Sequence, residues 1–460
     1  MSNPPIFDSK EPHGKPLYCV SWSTDVVEYK ARWPKTKDKE PEFQSALITV
    51  RYFATTGANF CSIYESIDVE LLEEDDASIE LTSVPLKNTT QKIQVYKDDN
   101  SNETFFCCAY GGHSATPNFP ITSPFPTHET HKGPQLLAIA GSSRLVKIID
   151  PTTTRLVLTL SGHGDDIYDC QFHPVDEWLL ITASKDQSLR LWNVMTGTPI
   201  FIFAGHEGHR ESVLTLDIDS LGGRMVSGGM DTEIKLWSLA TGHHKASVAK
   251  SYELKGCGWL EIGSTERVFP TLYEQMPYFS TTRVHTDYVD CVRFVGSDLI
   301  ASKSTGNSIV IWSPVIDSKK KERLLKNSGE QAAKINSKAR TGEKTSGDID
   351  KFDRGDQIVA LREFILTDCE IWFVRFSIDN SGKFLTIGNK AGLIRVWNLH
   401  GKKSVPVLKC NALCKPAAVR MVKFSPQSDS LCAVFDNGVT VQYDFAQGRG
   451  EDGRVRRWKI

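Results

Sequence analysis

Short runs of apolar residues, interleaved with polar ones and closed by turn residues, recur along the chain. Between Leu179 and Trp192 the run LLITAS leads into a tight Lys185-Asp186-Gln187 turn and then into LRLW, the pattern of half-buried strands. The stretch from Gly162 to Asn193, GHGDDIYDCQFHPVDEWLLITASKDQSLRLWN, is echoed from Gly208 to Ser238 by GHRESVLTLDIDSLGGRMVSGGMDTEIKLWS. Trp192 and Trp237 stand 45 residues apart. The same template finds a closing aromatic or aliphatic position at Tyr64, Ile149, Trp192, Trp237, Trp312, Trp397 and Tyr443, which makes seven units.

A period of about 45 residues fits four short strands per unit. One such sheet cannot cover both of its apolar faces, so units must stack, and a closed ring also hides the sheet edges. The pattern predicts an all-β chain, with residues 1–460 forming a single seven-bladed β-propeller domain. Wider gaps between units predict loop insertions at 23–43, 66–103 and 111–134. The second holds the acidic run Glu73, Glu74, Asp75 and Asp76, and the third is rich in Pro, Ser and Thr. The segment 315–357, with KKKER at 319–323 and a polar low-complexity stretch after it, is expected to be disordered. KKKER reads as a solvated loop or as a nuclear-import signal.

Composition narrows the function classes. A formal net charge of −2 gives no global attraction to nucleic acid or to a membrane surface. No direct sequence-specific nucleic-acid binding and no membrane partner are expected, since no stretch approaches about 18 uninterrupted apolar residues. Eleven cysteines, an odd number placed mostly in apolar runs (Cys19, Cys107, Cys108, Cys170, Cys291), read as free buried thiols in a reducing compartment. The one close pair, Cys410 and Cys414, has no second pair or histidines near it, so neither a metal nor a cofactor is expected.

Two units closely resemble WD repeats. That resemblance implies a hydrogen-bonded set across each blade: His163, Thr182, Asp186 and Trp192 in one, His209, Ser227, Asp231 and Trp237 in the other. A catalytic triad is the functional alternative, but a set that recurs with the fold reads as structural support. The seven innermost strands read LYCVSW, FFCCAY, IYDCQF, VLTLDI, VDCVRF, IWFVRF and VRMVKF. Their second positions are Tyr18, Phe106, Tyr168, Leu214, Asp290, Trp372 and Arg420, beside the channel mouth. Tyr18, Phe106, Trp372 and the adjoining Phe373 suggest an aromatic cage for a methylated lysine, because ring faces attract a quaternary ammonium. Rings that merely pack the rim are the alternative.

GHGDDIYDCQFHP, SKDQSLRLWN, GHRESVLTLDIDSLG, GMDTEIKLW, YVDCVRF, ASKSTGNSIVIW and CEIWFVRFSID together are similar to the embryonic ectoderm development or extra sex combs family of Polycomb proteins, over most of residues 11–445. The resemblance implies a nuclear, non-catalytic scaffold in Polycomb repressive complex two. Its implied partners are an enhancer-of-zeste type methyltransferase subunit, other Polycomb complex subunits and the tail of histone three. It also implies that Tyr18, Phe106, Trp372 and Phe373 form a trimethyl-lysine cage, with Tyr168, Asp290 and Arg420 at its rim. The chain departs from the family, which has Phe at Tyr18, Tyr at Phe106 and Phe373, and a small polar residue at Tyr168. Other readings are the same scaffold without methyl-lysine reading, a propeller enzyme, for which only Asp290 offers a carboxylate at the mouth, and a ubiquitin-ligase adaptor by fold analogy.

If 315–357 lies outside the core, deleting residues 325–350 leaves the thermal unfolding midpoint nearly unchanged, since loop closure depends weakly on length. Loss of cooperative unfolding in calorimetry contradicts that placement.

Overall fold

The computed structural model describes residues 7–34, 43–72, 79–80, 89–113, 135–253, 269–315, 357–401, 405–411, 417–444, 447–449 and 455–457. Seven sheets stand in a ring, each built around successive antiparallel strands, with a parallel strand added in blade one (Ile79–Glu80) and in blade three (Leu272–Glu274). Blade three shows the plan: Ile167–Phe172 lines the channel, followed outward by Leu179–Ser184, Leu189–Asn193 and Thr198–Phe203. The other innermost strands are Cys19–Pro34, Phe105–His113, Val213–Ile218, Val289–Val295, Ser377–Ile378 and Val419–Phe424. Each packs on the innermost strand of the next blade, and that of blade seven returns to blade one. A hairpin, Gln447–Arg449 with Val455–Arg457, follows blade seven.

The ring closes through the N-terminus. Phe7–Lys10 is the outer strand of blade seven, antiparallel to Val439–Gln442. The next residue, Glu11, is buried against blade one, where it accepts a hydrogen bond from the Tyr64 hydroxyl (2.7 Å) and pairs with Lys92 (2.8 Å). Although burial raises its pKa, these partners hold the Glu11 carboxyl below its usual value. Four consecutive residues thus belong to the last blade while the fifth is anchored in the first. Arg51 of blade one reinforces the seam by pairing with Asp68 of its own blade and Asp429 of blade seven.

The seven closing positions found by periodicity all lie in third strands and are buried, with Trp192, Trp237, Trp312 and Trp397 among the largest fully buried side chains. Side chains from facing sheets interdigitate between blades, and close approach sets the spacing. At Gly388 of blade six a Cβ would lie 2.2 Å from the Cβ of Val419 in blade seven, so only glycine fits there.

Two expected loops hold strand instead. Cys19–Pro34, Phe43–Gly57 and Phe60–Leu72 are long paired strands that carry blade one beyond the usual length, so residues 23–34 and 66–72 continue the sheet. Thr89–Lys97, within 66–103, is the outer strand of blade one. The polar and acidic residues there hid the alternation, because edge and extended strands have a solvated face. Most of 111–134 and 315–357 lies outside the described residues, and the ends that are described, Gly111–His113, Val315 and Gln357, belong to strands.

The WD-like sets form directional chains of hydrogen bonds. In blade three Trp192 Nε1 donates to Thr182 Oγ1 (3.0 Å), that hydroxyl pairs with His163 Nε2 (2.6 Å), and His163 Nδ1 pairs with Asp186 (2.8 Å). Blade four repeats it with Trp237 to Ser227 (3.0 Å), Ser227 with His209 (2.8 Å) and His209 with Asp231 (2.8 Å). A neutral imidazole protonated on Nδ1 satisfies every link. Burial pushes the His163 pKa down. Burial also raises Asp186, but hydrogen bonds from His163, Ser188 and the Gly164 N–H outweigh it and hold that carboxyl far below its usual range. Blade five has a third set that the motif search missed, in which the hydroxyl of Ser302 accepts from Trp312 (3.0 Å) and meets His285 Nε2 (2.8 Å). It lacks the turn aspartate, which is the residue that makes the motif legible.

Burial pushes the His285 pKa down to about 4. An unfolded histidine titrates near 6.5, so between those values the unfolded chain binds more protons. The stabilisation is complete above pH 6.5 and is lost as the pH falls toward 4. Urea unfolding at pH 7 and pH 4.5 should show His285→Asn losing about 2–3 kcal/mol less than the wild type over that interval. Equal losses in the two proteins contradict a buried neutral histidine.

Candidate functional site

Five aromatic rings from four blades meet at the mouth of the channel. Tyr18 of blade one contacts Phe106 of blade two (ring centres 5.3 Å apart), Phe106 contacts Tyr168 of blade three (5.5 Å), and Tyr168 contacts Trp372 ahead of blade six (5.8 Å). These four form a horseshoe. Phe373 lies at its centre, 5.7 Å from Tyr18, Phe106 and Tyr168 and 5.2 Å from Trp372. Leu214 and Met230 of blade four complete the cluster.

Sequence adjacency makes the pairing of Trp372 and Phe373 instructive. In a regular strand neighbouring side chains point to opposite faces. Here the run IWFVRF, expected as the inner strand of blade six, is interrupted: the strand begins only at Ser377, and Phe373 has φ +63°. The left-handed residue turns the backbone so that both rings serve one cluster. An aromatic residue in that conformation is uncommon, so the surrounding contacts must hold it there.

Arg420 of blade seven closes the open side of the horseshoe. Its guanidinium lies 5.9 Å from the Tyr18 ring centre, donates to the Trp372 carbonyl (2.8 Å) and makes a two-pronged pair with Asp436. Burial raises the Tyr18 pKa and Arg420 partly opposes it, while burial pushes Tyr168 up to about 12, so both phenols are neutral at physiological pH.

Asp290 does not border the open mouth. It is 1% exposed and paired with fully buried Lys303 at 2.8–2.9 Å. Burial raises its pKa and Lys303 draws it back. A carboxylate sealed in such a pair cannot act on a substrate at the mouth.

The second-position alignment missed the residue directly beneath the rings. Arg375 is 1% exposed and crosses the channel from blade six. It donates to the Tyr168 carbonyl (2.7 Å), the Leu214 carbonyl (3.0 Å) and Asp169 (3.0 Å). The guanidinium carbon lies 4.6 Å from the Phe373 ring centre, a cation–π contact on that ring. Burial opposes its charge, but Asp169 holds the Arg375 pKa above the usual value. A signal was present: the fifth positions of the seven inner runs are Ser21, Ala109, Gln171, Asp217, Arg293, Arg375 and Lys423, a mostly polar row that lines the channel.

No helix among the described residues is long and apolar enough to cross a membrane. His209, Asp231 and Glu233 lie close enough together to share an ion. Both ring nitrogens of His209 are engaged by Asp231 and Ser227, which leaves no lone pair for a metal. Cys19, Cys61, Cys107, Cys108, Cys170, Cys291, Cys369 and Cys432 are buried free thiols, Cys410 lies in the strand Leu408–Asn411, and Cys414 lies outside the described residues.

The repeats, the hydrogen-bonded sets and the ring of sheets define a WD-repeat propeller, and residues 154–193 and 197–238 match the WD domain, G-beta repeat family. The chain is 30% identical to Polycomb protein esc of Drosophila virilis over 95% of its own length and 82% of that protein. It is 32% identical to Polycomb group protein FIE2 of Zea mays over 97% and 96% of the two chains. The chain therefore belongs to the extra sex combs family of WD-repeat Polycomb proteins, and it is a non-catalytic, regulatory propeller. Its fold is similar to a chain in a crystal structure of the Chaetomium thermophilum polycomb repressive complex 2, with a TM-score of 0.63, 17% identity and coverage of 96% and 98%. A chain in a structure of that complex with H3K27me3 and H3K27M superposes with a TM-score of 0.58 at 17% identity, covering 94% and 98%.

Because Arg375 neutralises buried Asp169 and ties blade six to blades three and four, Arg375→Met should cost about 3–5 kcal/mol, the range for leaving one member of a buried pair alone. Denaturant unfolding checks this. A change within 0.5 kcal/mol shows that the tie does not support the mouth.

Proposed function

We propose that this protein is a scaffold subunit of a Polycomb repressive complex two, carrying an enhancer-of-zeste type methyltransferase subunit, and that its aromatic mouth reads trimethyl-lysine on the tail of histone three. On this reading it acts in the nucleus in transcriptional repression. The single observation that carries the reader function is the convergence of Tyr18, Phe106, Tyr168, Trp372 and Phe373 from four blades on one point. Membership of the Polycomb family supports the scaffold role, and the structure with H3K27me3 of a complex that contains a chain of similar fold makes that modification the first ligand to test.

Aromatic faces favour a trimethylammonium over an ammonium for two reasons. The methylated cation is weakly hydrated and gives up little on leaving water. Lysine's ammonium keeps three strong donors that an aromatic bowl cannot satisfy. Tyr168 and Phe373 are nearly covered, at 4% and 3% exposure, and this favours a second reading, a scaffold whose mouth binds no methyl-lysine.

Calorimetric titration with histone three tail peptides separates the two. A reader binds trimethylated peptide far more tightly than unmodified peptide, and Trp372→Ala weakens that binding tenfold or more, equivalent to about 1.4 kcal/mol. Equal affinity of the folded wild type for both peptides leaves the scaffold role alone.

A further inference from the structure

A quaternary ammonium held by aromatic rings lies within about 6 Å of their centres. The centre of the Tyr168 ring is 5.5 Å from Phe106, 5.7 Å from Phe373 and 5.8 Å from Trp372. It therefore lies at cation–π distance from three rings at once. Its plane is inclined at 74° and 88° to those of Phe373 and Trp372, which it meets edge to face, and is tilted at 58° to that of Phe106.

We propose that Tyr168 determines the affinity of the mouth by occupying, with its own ring, the seat of the trimethylammonium, so that a ligand enters only when that ring swings out. The inference rests on the reading of the mouth as a methyl-lysine reader.

Which ring yields follows from how each is held. Phe373 is fixed by its left-handed backbone and by Arg375 against its ring. Trp372 has its carbonyl bound by Arg420, and at 41% exposure it already borders solvent, so moving it frees little enclosed space. Tyr168 is pinned through its backbone carbonyl, which accepts from Arg375, while its hydroxyl has no hydrogen-bond partner among the described residues. Rotating the Tyr168 side chain breaks no hydrogen bond and costs only ring contacts. Both anchors stay in place as it turns, so the seat opens without disturbing the channel beneath.

A closed resting state lowers apparent affinity by the fraction of molecules that are open. Removing the occupying ring should remove that penalty. Titration of the trimethylated histone three tail peptide into wild type, Tyr168→Phe and Tyr168→Ala is expected to give equal affinities for the first two and at least fivefold tighter binding for the third. Tyr168→Asn is read in the same way as the alanine variant if the latter fails to fold. Binding by the wild type that is unchanged or weakened in Tyr168→Ala and Tyr168→Asn overturns the inference and makes Tyr168 a wall of the cage, with the reader function intact. Absence of binding by every folded variant, wild type included, overturns the reader function and this inference with it.

Discussion

Everything at the mouth depends on ring closure. The rings of the cluster come from blades one, two, three and six, Arg420 comes from blade seven, and no blade contributes more than two rings. They meet only because Phe7–Lys10 completes blade seven while Glu11 is anchored to Tyr64 and Lys92 of blade one. A closed ring fixes each inner strand against two neighbours, and this brings side chains separated by hundreds of residues into one constellation. The same closure removes the sheet edges that an open stack of blades would leave exposed.

Within that ring the channel is held by charge as well as by apolar packing. Arg375 joins three blades through two carbonyls and Asp169, and Arg293 of blade five donates to the Leu216 carbonyl of blade four (3.0 Å). A buried charge without partners is costly, so Arg375 keeps its two carbonyls and Asp169 in place across the channel. The aromatic cluster rests on this layer, and Arg375 is the residue shared by both.

The blade plan was legible because its signal repeats: the closing residues from Tyr64 to Tyr443 recur at the same point of a four-stranded unit. The paired insert strands of blade one were not, since they occur once and carry polar side chains. Second-position alignment found Tyr18, Phe106, Tyr168 and Trp372 together, and also Arg420 beside them. It placed Asp290 at the mouth as well, whereas a lysine on the neighbouring strand, Lys303, draws that carboxylate into the interior. Partner choice across strands is not written in any single run. Phe373 was found by adjacency to Trp372, but the left-handed turn that makes both rings face one space is a backbone property that the residue types do not announce. Arg375 was visible in the fifth position, where the row of polar residues marks the channel wall.

On the proposed reading, one trimethylammonium is seated among rings supplied by separate blades. A crystal structure of this protein with a trimethylated histone three tail peptide tests it most directly. The quaternary nitrogen is expected within about 6 Å of the ring centres of Phe106, Trp372 and Phe373, with Arg375 still bound to the Tyr168 carbonyl. Peptide bound on another surface, with the five rings undisturbed, contradicts it.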